Sequence, residues 1–156
     1  MVTETVTETT TKPAVPTAAL PQEQAASESA RLSVTGVRVG RHDGFDRVVF
    51  DLAGTPSPGW MARFTDDPRR AGSGDRVEIA GRSAIQVTIT GIGYPSDTGV
   101  EPFIGAVGGE GGVTQVDVAG PFEGQAVAFI GSAAENPAVR ISTLSSPTRL
   151  VVDIAR

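Results

Sequence analysis

Beyond residue 31 the chain is written in a two-residue period. "LSVTGVRVG" sets Leu32 and Val34 on one side, then Val37 and Val39, with Gly36 shifting the phase between the two pairs. "SAIQVTITGIGYP" repeats the alternation with Ile85, Val87 and Ile89. Such spacing gathers apolar side chains on one face of a pleated strand, whereas a helix would scatter them around its axis. Each run is short and ends at Gly or Pro, the residues that punctuate β structure. "RVVFDLA", "RVEIAG", "EPFIGAV", "VTQVDVAG", "QAVAFIGSA", "AVRISTL" and "TRLVVDIA" read as further strands, and "WMARF" as a shorter one. The fold class is therefore all-β, an antiparallel β-sandwich of short strands. It leaves room for one short helix, after Pro137 or within residues 123–128. "HDGFD" reads as the turn of a hairpin, and Gly36 as a β-bulge.

One strand occurs twice. "RVVFDLA" (47–53) returns as "RLVVDIA" (149–155), with Arg, Val, Asp and Ala at matching places. In the first, Val48, Phe50 and Leu52 share a face; in the second, Leu150, Val152 and Ile154 do. The opposite faces read Arg-x-Val-x-Asp. Each strand thus offers an apolar face to a core and a charged face outward. Arg and Asp four apart on one strand are too distant to meet, so their partners must lie on neighbouring strands. Two roles fit Arg47, Asp51, Arg149 and Asp153. They form a ligand-binding face whose guanidinium groups hold carboxylates in bidentate fashion, or they are cross-strand ion pairs that set register.

The first thirty residues differ in kind. "TETVTETTTKPAVPTAALPQEQAASES" is rich in Thr, then in Pro and Ala, and offers little to bury. This composition predicts a disordered tether over residues 1–30, carrying a single domain over residues 31–156. The chain's formal net charge of −5 divides as −3 in residues 1–30 and −2 in the remainder, where twelve Arg face fourteen Asp and Glu. A mildly acidic domain without a basic stripe argues against nucleic acid as a partner. No apolar run is long enough to span a membrane.

Catalytic chemistry is hard to place. His42 is the one histidine, in a predicted turn, and no G-x-S-x-G elbow accompanies it. With one His and no Cys, the chain lacks the ligands of an ordinary zinc site, so neither a metal nor another cofactor is expected. Asp66, Asp67 and Asp75 mix with Arg69, Arg70 and Arg76 in a loop that reads as solvated surface. "GAVGGEGGV" lacks the Gly-Lys-Ser/Thr ending of a phosphate loop and reads as a flexible connection. Trp60 and Tyr94 sit at strand ends, where an aromatic is either a half-buried core edge or a stacking platform.

"GFDRVVFDLAG", the "GSG" before "VEIAG", "VAGPFEGQAVAFIG" and the closing "SSPTRLVVDIA" occur in an order that resembles the AMIN-like domain of actinobacterial cell-envelope lipoproteins. The resemblance covers about residues 32–155. It implies a small β-sandwich, related to the AMIN domains of cell-wall amidases and secretins, which are non-catalytic and target their proteins to peptidoglycan or to envelope partners. The protein is then no enzyme but an extracytoplasmic binding module, with membrane contact only through a lipid anchor upstream of residue 1. The alternative is a structural or regulatory domain that contacts another envelope protein without binding glycan.

Overall fold

The computed structural model describes residues 14–156. Among these described residues ten strands form two antiparallel sheets. In chain order they are β1 (Gln22–Gln24), β2 (Ser33–His42), β3 (Phe45–Ala53), β4 (Gly59–Thr65), β5 (Ser83–Thr90), β6 (Gly105–Gly108), β7 (Val113–Val118), β8 (Gln125–Ser132), β9 (Val139–Leu144) and β10 (Arg149–Ala155). The large sheet has the order β1-β4-β5-β8-β7-β6 and the small one β2-β3-β10-β9. The all-β sandwich expected from the alternation is the fold observed.

The inner faces supply one core. Val48, Phe50 and Leu52 of β3 and Leu150, Val152 and Ile154 of β10 pack with Ile85, Val87 and Ile89 of β5, all of them buried. These are the alternate positions of each run, so the two-residue period translates directly into burial. The two repeated strands lie side by side, with Val151 opposite Val49 and Val152 opposite Val48. The register between β2 and β3 slips between Val34 and Gly36, at the expected bulge.

The N-terminal segment departs from expectation. Residues 1–13 of the predicted tether lie outside the described residues, but the rest of it does not run free. β1 pairs with β4, Gln22 opposite Ala62 and Gln24 opposite Trp60. Val139 donates its N–H to the Ala18 carbonyl at 2.9 Å, and Ser27 donates to Ser57 at 3.1 Å. Ala30 is buried in the core. An edge strand is held by main-chain hydrogen bonds, which any non-proline sequence can make, so a Thr/Pro/Ala-rich composition conceals it.

Two further differences bear on the surface. The helix α1 lies at Pro95–Thr98 rather than at either expected place. Pro95 suits a helix start, and Gly99 in the left-handed conformation (φ 72°) closes it with a bond to the Pro95 carbonyl. The "RVEIAG" run forms no regular strand. Residues 66–82 instead make a strap across the outer face of the large sheet. Val77 and Ile79 cover Val127 and Phe129 there, and Arg70 bonds Asp117 at 2.7 Å. The Gln115 side chain accepts from the Ala80 N–H at 3.2 Å and donates to the Glu78 carbonyl at 3.3 Å.

Candidate functional site

Antiparallel pairing of two Arg-x-Val-x-Asp strands sets each Arg opposite an Asp. In the observed register Arg47 faces Asp153 and Arg149 faces Asp51, all on the outer face of the small sheet. The two crossings are used differently. Arg47 donates to both oxygens of Asp153, Nε at 2.8 Å and Nη2 at 3.1 Å. Arg140, opposite Asp153 on β9, adds bonds at 2.8 and 3.3 Å. Asp153 is thereby enclosed, its side chain 1% exposed against 31% for Arg47 and 35% for Arg140. Both guanidinium groups also lie over the Phe45 ring, 5.9 and 5.4 Å from its centre.

Asp51, by contrast, is held by Arg38 of β2, at 3.0 and 2.7 Å. Arg149 turns back to donate to the Pro147 carbonyl at 3.0 Å. Of the four residues singled out in the sequence, the structure thus joins one pair directly and separates the other. It buries Asp153, which the strand pattern placed outward, because three strands of the sheet enclose it. Burial pushes the Asp153 carboxyl up, but the bonds from Arg47 and Arg140 outweigh it and hold the group below the usual range.

Counted by register, the outer face of the small sheet carries Arg38, Arg47, Arg140 and Arg149 against Asp51 and Asp153, four positive charges to two negative, or +2. Gly40 lies beside Arg47 on this face, and among the described residues no atom comes within 4 Å of where its Cβ would stand. A positively charged shelf with open space at Gly40 is suited to carboxylates.

The AMIN-like domain family matches residues 32–156. The chain belongs to that family. Searches of curated proteins and of solved structures found no match. AMIN-like domains are envelope-associated binding modules, generally non-catalytic, found in extracytoplasmic proteins.

Asp46 and His42 have structural places in this AMIN-like domain. Asp46, buried at the inner end of β3, accepts from Arg156 at 2.6 Å and from the Gly112 N–H at 2.7 Å, tying the Gly-rich loop to the small sheet. His42 is not an exposed turn residue; it ends β2 and stacks on Phe45, ring centres 4.9 Å apart and planes 6° from parallel. Trp60 is half-buried and packs against the core, while Tyr94 is exposed and its hydroxyl accepts from the Glu123 N–H at 3.0 Å. Arg38 and Arg140 were missed in the sequence because each lies on a strand other than the repeated pair. The strand-alternate placement of Arg38 and Arg140 was their one legible signal.

Proposed function

We propose that this AMIN-like domain is a non-catalytic module that binds peptidoglycan, gripping carboxylates of the wall peptides with the outer face of the small sheet. The observation that carries the reading is the +2 charge of that face in a chain whose formal net charge is −5. Arg38 and Arg149 are its outer contacts. Asp51 and Asp153 orient the guanidinium groups rather than meeting ligand, and Arg47 beside Gly40 completes the shelf. An actinobacterial lipoprotein setting, with a lipid anchor ahead of residue 1, belongs to the same proposal and rests on the family resemblance. Purified wall sacculi test it: the Arg38→Ala/Arg149→Ala double variant should co-sediment far less than the parent chain. Undiminished co-sedimentation by a folded double variant overturns the reading.

A second reading, a protein-interaction domain that does not bind glycan, has one observation in its favour. Tyr94, Ile104 and Phe122 are exposed large apolar side chains near the turn at residues 121–124. Ile104 lies against Gly120 and the Tyr94 hydroxyl bonds Glu123, which brings the three to one end of the sandwich. Capture of an envelope protein that Tyr94→Ala/Phe122→Ala abolishes, with sacculus binding absent, would favour it.

A further inference from the structure

The opposite face of the sandwich holds a second surface of different chemistry. Three hollows of about 430, 450 and 500 Å³ lie along the outer side of β4. Met61 lines the first and second, and Arg63 the second and third, so they form one furrow. It follows the seven residues of β4, a length of about 20 Å at the usual rise of a strand. β1 bounds it through Glu23 at one end, and the strap bounds it through Asp67 and Arg69 along one side.

The floor is polar and organised. Arg63 and Gln86 are cross-strand partners, as are Met61 and Thr88. Arg63 Nη2 donates to the Gln86 side-chain Oε1 at 3.0 Å, and Gln86 Nε2 donates to the Thr88 hydroxyl at 3.3 Å. Four arginines and four carboxylates line the furrow (Arg63, Arg69, Arg76 and Arg82; Glu23, Asp66, Asp67 and Glu78), which leaves no net charge. Asp67 bonds both Arg69 and Arg76, so much of that charge is already neutralised within the strap. The occupant that matches is uncharged and rich in hydrogen-bonding groups. An added strand fits poorly, because β5 pairs with β4 along its whole length and β1 takes the other side over residues 60–62, which leaves the short stretch 63–65 without a strand partner there.

We infer that the furrow along β4 holds an uncharged polysaccharide bearing hydroxyl and acetamido groups, read by the side chains of Arg63, Gln86 and Gln125. This deepens the proposal of peptidoglycan binding by assigning the sugar backbone to the large sheet and the peptide carboxylates to the small one. The amide and guanidinium groups supply the paired donors and acceptors that hydroxyl and acetamido groups require.

Titration of the full chain with the N-acetylglucosamine tetramer, followed by backbone amide resonances, tests it. Saturable shifts should fall on Met61, Arg63, Gln86 and Thr88, and the Arg63→Ala/Gln86→Ala variant should bind at least about tenfold more weakly, with its resonances otherwise dispersed as in a folded chain. Arg41→Ala, whose side chain has no partner among the described residues and lies outside the furrow, should bind as the parent does. Absence of saturable shifts, shifts confined to the small sheet, equal affinity in the double variant, or saturable binding there of an extended peptide in place of the tetramer overturns the inference. A tetramer that binds while sacculus binding ignores Arg38 and Arg149 leaves the furrow standing and removes the small-sheet reading, so the two fail separately.

Discussion

Arg47 stands directly across the β3–β10 ladder from Asp153 and closes on it with two bonds, at 2.8 and 3.1 Å. The reciprocal crossing, Arg149 opposite Asp51, has the same register and no such bond. The difference comes from the strands outside the pair. β9 brings Arg140 to Asp153, and β2 brings Arg38 to Asp51, so the symmetry of the repeat is broken by its neighbours.

Asp153→Ala removes a buried carboxylate that orients two guanidinium groups and should cost about 1.5–3 kcal/mol in urea unfolding. Asp51→Ala, whose partner Arg38 is largely exposed, should cost less than about 1 kcal/mol. Equal losses would show that enclosure of Asp153 contributes nothing.

The same carboxylate has a pH signature. Its folded pKa is depressed, so its contribution is present above the unfolded value, about 3.9, and is lost as pH falls through the folded value. The stability gap between the parent chain and Asp153→Asn should therefore be widest at neutral pH and narrow below about pH 4. Chemical unfolding of both proteins from pH 7 to pH 2 gives the comparison; a gap that widens on acidification contradicts the assignment.

Phe50 is fully buried between the sheets. Phe50→Ala should lower unfolding free energy by about 3–5 kcal/mol. A loss under about 1 kcal/mol would mean that the sheets close over the cavity without cost.

The docking of β1 is open to a direct check. A chain beginning at Arg31 loses the β1–β4 pairing, and its melting temperature should drop by several degrees, since about 1 kcal/mol corresponds to roughly 2–8 °C for a domain of this size. Gly59→Ala attacks the same contact, because a Cβ there would stand 2.3 Å from the Ala26 nitrogen and 2.5 Å from the Gln24 carbonyl oxygen. Its cost should be smaller in the shortened chain than in the parent, and strict additivity would show that the two changes act on different contacts.

Arg70 anchors the strap to Asp117 in a half-buried pair. Asp117→Ala should speed tryptic cleavage at Arg69, Arg70 and Arg76 without unfolding the sandwich. Unchanged cleavage rates would place the hold on the strap elsewhere, in Val77 and Ile79.

The two-residue period was enough to determine the all-β class, the inward faces of β3, β5 and β10 and the bulge at Gly36, because burial on a pleated strand depends on local spacing alone. The repeat likewise implied that each Arg would seek an Asp on another strand. Which Asp it reaches depends on strand order, and no local pattern encodes that β9 and β2 flank the repeated pair. The same holds for β1, whose main-chain bonds leave no trace in composition, and for "RVEIAG", a strand by its alternation that the tertiary structure lays across a finished sheet. The charged shelf and the neutral furrow arise only when residues far apart in the chain share a face: Arg38 with Arg140, and Glu23 with Met61 and Gln86. Local sequence sets the direction a side chain points; long-range packing sets what stands opposite it.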